Sequence, residues 1–185
     1  MSSTYTIPYK TGSMPRYPWI WRLLHWTSAV VILWAIFSGF YLAFFNSSDD
    51  IKHTMADFNI AVTMVFIPVF MLRMWVAKHY QKPYTPQLTE QQSNAANQAH
   101  KFIYWVVCLE LASGILMMDR QINIFEWVSF SAPLLNVEFF SIAATDIFFM
   151  VHRVCSFLLT FLIVLHVGAV IKHHRNGIPL LKKML

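Results

Sequence analysis

Four stretches of this chain are apolar for long enough to cross a bilayer, and that decides most of what it can become. They run from about Trp19 to Phe45, Met55 to Val76, Phe102 to Met118 and Asp146 to Lys172. A helix rises about 1.5 Å per residue, so roughly 20 residues cover a hydrocarbon core about 30 Å thick. No water inside lipid satisfies a backbone N–H or C=O, so each stretch must be helical. The expected fold class is all-α: an integral membrane four-helix bundle, one domain over residues 1–185. Composition agrees, since 57% hydrophobic against 12% charged residues leaves too little charge to cover a soluble domain. A chain of 185 residues also has no room for a separate soluble catalytic domain beside the bundle. Pro68 lies inside the second stretch and is expected to kink it.

Lysine and arginine set the direction of the spans. Lys10, Arg16 and Arg22 precede or open the first span, Lys78, Lys82 and Lys101 flank the second connection, and Lys172, Arg175, Lys182 and Lys183 follow the fourth. The first connection sets Asp49 and Asp50 against Lys52, and the third, from Asp119 to Thr145, offers only Arg120. Both termini and the middle connection are therefore expected in the cytoplasm. The basic residues flank apolar segments and form no patch for nucleic acid. Tryptophans at Trp19, Trp21, Trp26, Trp75 and Trp127 stand near span ends, as an aromatic belt does. The N-terminal leader lacks the pattern of a cleaved signal peptide. Cys108 and Cys155 both fall within spans, which speaks against a disulfide framework. In the third connection, NIFEWVSFSAPLLNVEFF is apolar enough to lie along the periplasmic interface as a short helix, or to dock another subunit.

Ionisable rings inside spans mark function by default, because burying them unpartnered is unfavourable. His25, in RLLHW, and His166 lie at matching depth near the cytoplasmic ends of the first and fourth spans. Two neutral imidazoles facing each other across a bundle are what axial haem ligation requires. Imidazole also ligates zinc, copper and nickel, but no Cys, Asp or Glu stands at that level to complete such a site, and a plain packing role remains open beside it. His152 sits fourteen residues before His166, almost four helical turns away and close to the opposite side of the membrane. From the second span His53 and Asn59 are its candidate partners, and Asn59 alone has the right depth. Glu110, near the middle of the third span, reads either as a carboxyl bonded to a neighbouring helix or as a proton relay. Asp57 and Arg153 are candidates for an ion pair at the depth of His152. Arg73, His100, His173 and His174 gather at the cytoplasmic end, suited to carboxylate groups of a haem or to a quinone head. For His173 and His174 a solvated cationic helix end is an equal reading.

These residues, in this order, resemble the bacterial cytochrome b-561 family, di-haem four-helix membrane proteins that include superoxide:quinone oxidoreductases. The wider superfamily includes the cytochrome b subunits of nickel–iron hydrogenases and formate dehydrogenases. RLLHW resembles its first-helix signature; AHKFIYWVVCLELASGILMM resembles its third, with His100, Tyr104 and Gly114; the run from His152 through LHVGAVIKHHRNGIPLLKKML resembles its fourth. KPYTP fits the proline-rich second connection. The resemblance covers nearly the whole chain. It implies a b-type haem at the cytoplasmic side, its iron held by His25 and His166. The second-helix histidine of the family falls on Asn59, and the glycine after it falls on Thr63, so the ligand opposite His152 is missing and a second, periplasmic haem is not expected.

The expected function is electron transfer between a donor or partner subunit at the periplasmic face and the quinone pool, in a bacterial inner membrane. Two alternatives stand beside it: a non-catalytic anchor or assembly subunit of a larger respiratory complex, and a superoxide:quinone oxidoreductase.

Overall fold

Apolar length becomes helix length. The computed structural model describes residues 16–45, 48–80, 88–117, 122–124, 128–130 and 142–185. Among these, α1 spans Trp19–Phe44, α2 Asp49–His79, α3 Glu90–Leu116 and α4 Ile142–Arg175, each long and apolar enough to cross a membrane. A short α5 covers Leu181–Met184. The chain enters and leaves at one end of the bundle, here the termini end.

Local chemistry fixes the boundaries. α2 begins at Asp49, after an extended Ser48 whose side chain makes no capping bond, and Asp49 and Asp50 fill its first turn, where carboxylates meet exposed N–H groups. It then runs unbroken through Pro68. α3 starts at Glu90, well before Phe102, on a capping box: the Thr89 hydroxyl accepts from Gln92 N at 3.3 Å and Gln92 Oε1 accepts from Thr89 N at 3.1 Å. α4 stops at a left-handed Gly177 with φ 81°, whose N–H reaches His174 O at 3.1 Å while Ile178 N–H reaches His173 O at 2.9 Å.

The third connection corrects an expectation. Where the sequence suggests a short interfacial helix, Ile122–Ile124 (β1) and Val128–Phe130 (β2) pair antiparallel, with Ile122 opposite Phe130 and Ile124 opposite Val128. Both strands alternate β-branched or aromatic residues with a polar one, and that period of two suits a strand. This marks the hairpin end of the bundle. Trp127 and residues 131–141 lie outside the described residues, as do Arg120, the leader before Arg16 and the KPYTP run.

α1 lies along α2 and α3 along α4, whereas α2 and α3 touch sparsely. Phe66, Phe70, Val106, Val107, Cys155 and Leu159 form the buried core at mid-depth, with Val31, Ile32 and Ile36 of α1 packed on it. Val30, Phe37, Trp105, Val154 and Phe161 face outward and exposed, as lipid-facing side chains do. Where helices touch, small hydroxyls turn inward and bond their own backbone. Ser28 Oγ donates to Leu24 O at 2.6 Å and Ser113 Oγ to Leu109 O at 2.7 Å.

The tail folds back under α1. Tyr17 N–H donates to Lys183 O at 3.1 Å, Trp26 Nε1 to Met184 O at 2.9 Å, and Arg22 Nη1 bonds Leu185 O. Burial pushes the Lys183 ammonium below its ordinary range; burial first, then Tyr104, pushes the Tyr17 phenol above its own. The undocked tail therefore holds more protons between the lowered pKa of Lys183 and the usual lysine value, and docking strengthens as pH rises there. The undocked phenol ionises above about pH 10 while the docked one stays protonated, which weakens docking again. Trp26 fluorescence, read against a Trp26→Phe variant, should show tail contact rising as pH climbs toward the usual lysine range and falling once the undocked phenol ionises, above about pH 10; a flat profile contradicts this.

Candidate functional site

Above and below the core the four helices part into two cavities. The one at the termini end encloses about 670 Å³ and receives His25 from α1, Arg73 from α2, His100 and Tyr104 from α3, and His166 from α4. Five residues singled out from sequence thus share a single space. His173 and His174 do not line it.

The hydrogen bonds there have a definite sense. Arg73 Nη2 lies 3.2 Å from His25 Nδ1, and because guanidinium only donates, that nitrogen must be the acceptor and the ring proton sits on Nε2. The Arg73 guanidinium also stands 5.3 Å from the Tyr104 ring centre, a cation–π contact that anchors it over α3. His100 does the reverse of His25: its Nδ1 meets Ala96 O at 2.6 Å, so Nδ1 carries the proton. The His100 and His166 rings stand edge to face with centres 5.2 Å apart. Sequence reading missed Tyr17 and Lys183, which also line this cavity. No signal marks Lys183 in advance, because a lysine in a basic tail reads as solvated until α5 folds it inward.

This cavity suits a large, flat, anionic-edged group such as haem. Imidazoles arrive from facing helices, Tyr104 and Leu24 give apolar walls, and Arg73 and Lys183 offer two cations for carboxylates. His25 would take its proton on Nδ1 in order to offer Nε2 to a metal, and Arg73 would then leave that nitrogen.

The cavity at the hairpin end encloses about 460 Å³. Gly39, Asn59, Thr63, Glu110, Gly114 and His152 are among its lining residues; His53 is not. His152 is fully engaged: Nδ1 lies 3.1 Å from Glu110 O and 3.3 Å from Ser113 Oγ, and Nε2 lies 3.3 Å from Glu110 Oε1. Ser156 Oγ donates to the same carboxyl oxygen. A Cβ on Gly114 would stand 3.3 Å from His152 Cε1, so glycine gives the ring the closest approach to α3 and a larger residue would press it back slightly. Across the cavity, Asn59 Oδ1 accepts from Ser38 Oγ at 3.1 Å. The carboxyl that the histidine meets is Glu110, bonded to a neighbouring helix, while the Arg153 guanidinium lies 5.7 Å over the Phe149 ring. A bis-imidazole haem does not fit this donor set: one histidine has both nitrogens engaged and the opposing residue is an amide.

Among the described residues, no group of three or more His, Cys, Asp or Glu is placed to hold a bare metal ion. A family model described as prokaryotic cytochrome b561 matches residues 16–185. No curated protein matches the chain.

Proposed function

Because the chain belongs to the prokaryotic cytochrome b561 family, whose members are membrane haem b electron-transfer proteins, we propose that its termini-end cavity holds a single b-type haem between His25 and His166. The protein then passes electrons between a donor or partner subunit at the hairpin end and quinone. What supports this is the convergence of three imidazoles and a guanidinium from four helices on one cavity of about 670 Å³. When bound, the haem supplies a one-electron iron couple shielded from water. The chain does the rest. His25 and His166 offer nitrogens, Arg73 and Lys183 pair with carboxylates, and Tyr104 keeps the guanidinium in place. The basic flanks of α1, α2 and α4 support a cytoplasmic position for this end, in a bacterial inner membrane. The poor fit of haem to the other cavity supports a redox partner at the hairpin end over superoxide oxidation by this chain alone.

The test is a spectrum and a haem count. Purified protein should give Soret and α bands on reduction, about one haem per chain by pyridine haemochrome, and reduction by a short-chain quinol. Protein without haem, or with haem that quinol leaves oxidised, would instead support a membrane anchor.

A further inference from the structure

The hairpin-end cavity, about 460 Å³, opens sideways toward lipid between α1 and α4. Gly39 on α1 and Phe149 and Phe157 on α4 line it and are themselves exposed. Phe40 meets Phe157 edge to face at 5.2 Å, so one contact between the two helices bounds the slot. Inside, little asks for a polar guest. His152 has both nitrogens engaged, Glu110 Oε1 accepts from Ser156, and Glu110 Oε2 is buried. Most of the remaining wall is aliphatic or aromatic, so hydrocarbon suits it.

Charge stands at the rim. About 20 residues cross the hydrocarbon, and counting back from Lys172 puts the far edge of the core beside Arg153. Arg153 lines the cavity, and its guanidinium lies 5.7 Å from the centre of the Phe149 ring, one turn nearer the hairpin end. That is the direction in which a long cationic side chain reaches headgroups. Contact with a ring face uses no N–H, so the planar fork of donors that suits phosphate remains available. Asp146 is exposed and precedes Arg153 by seven residues, about 10.5 Å and almost two turns, so both charges stand on one side of α4 with Phe149 between them. They are too far apart to pair with each other, and a zwitterion fits between. The same end carries Asp49, Asp50 and Asp57 on α2 against Lys52, which disfavours a headgroup of net negative charge. Asn59, across the cavity, gives only its carbonyl oxygen to Ser38. Its NH₂ can donate to an ester carbonyl, the group that lies below a phosphate in a lipid.

We propose that this slot seats one phospholipid with a zwitterionic, amine-bearing headgroup of the phosphoethanolamine kind. One acyl chain fills the cavity, Arg153 holds the phosphate, and Asp146 accepts from the ammonium. The site is independent of haem in the other cavity.

The test is native mass spectrometry of the full, haem-loaded chain released from detergent. Dioleoyl-phosphatidylethanolamine, dioleoyl-phosphatidylglycerol and the chainless glycerophosphoethanolamine are titrated separately. The first should be retained at one per chain and bind about tenfold tighter than phosphatidylglycerol. The chainless headgroup should not bind, which separates a lipid from free phosphate chemistry. Arg153→Gln should cost the ethanolamine lipid about tenfold, and Asp146→Asn should erase its preference over phosphatidylglycerol. Both side chains are exposed, and circular dichroism checks that the helices persist. A Cβ at Gly39 meets nothing within 4 Å, so Gly39→Leu should narrow the slot without a backbone clash and weaken both lipids. Equal affinity for the two lipids, several retained without preference, or indifference to Arg153→Gln or to Gly39→Leu would each overturn the proposal. His166→Ala, which tests the haem, should keep the bound lipid.

Discussion

Replacing His166 by alanine is expected to yield a folded protein with no Soret band after purification. On the proposed assignment the substitution removes a nitrogen ligand at the cavity where four helices meet. Loss of a group that merely orients a metal ligand already costs 10–100-fold in affinity, so loss of a ligand itself should exceed about 100-fold. His25→Ala should behave the same way. His152→Ala should keep the full signal, because that ring serves Glu110 and Ser113 at the other end. Far-ultraviolet circular dichroism checks that the helices remain, and free imidazole should restore part of the band in either alanine variant. A normal spectrum in His25→Ala and His166→Ala would overturn the axial assignment.

Truncating Phe70 to alanine should cause the largest loss of stability. Phe70 is 2% exposed and is the largest fully buried side chain among the described residues. It packs within the mid-depth core, and its ring meets Tyr104 edge to face at 5.8 Å. In lipid, transfer to an apolar phase contributes little to helix association, so the loss is of packing contacts and comes with a void. Phe→Ala in cores costs 3–5 kcal/mol, and the lower end, about 3 kcal/mol, applies here. For a chain of this size that corresponds to roughly 6–12 °C in thermal midpoint, read by circular dichroism in detergent. Because Tyr104 carries Arg73 on its face, weaker haem retention should accompany the loss. An unchanged midpoint would show that the core carries little of the stability.

What could be read in advance divides along physical lines. Membrane spans are legible because lipid imposes one requirement on every residue of a span, so the positions of α1, α2 and α4 follow from apolar length. α3 is longer than its apolar run because helix continues beyond lipid, and the Thr89–Gln92 capping pair was the available sign. The hairpin escaped because strand pairing joins residues either side of a turn, and a single apolar run does not show it. Depth along a helix is also readable: of the residues it sets at the termini end, His25, Arg73, His100 and His166 line one cavity, whereas His173 and His174 do not. Rotation about the helix axis is not. Whether Glu110 met His152, Asp57 met Arg153 or either faced lipid depended on how α3 and α4 turn toward each other. A helix register that brings Gly114 beneath an imidazole is invisible to spacing alone.

The division of the bundle has a consequence for biogenesis. With α1 laid along α2, α3 along α4 and few contacts between α2 and α3, the polypeptide is two helical pairs sharing a seam. Each pair can leave the insertion machinery as a unit before the other is made. The halves should then recognise one another even when supplied as separate polypeptides divided between His79 and Glu90. Since residues of both pairs line each cavity, whatever enters them during assembly would act as mortar between the halves.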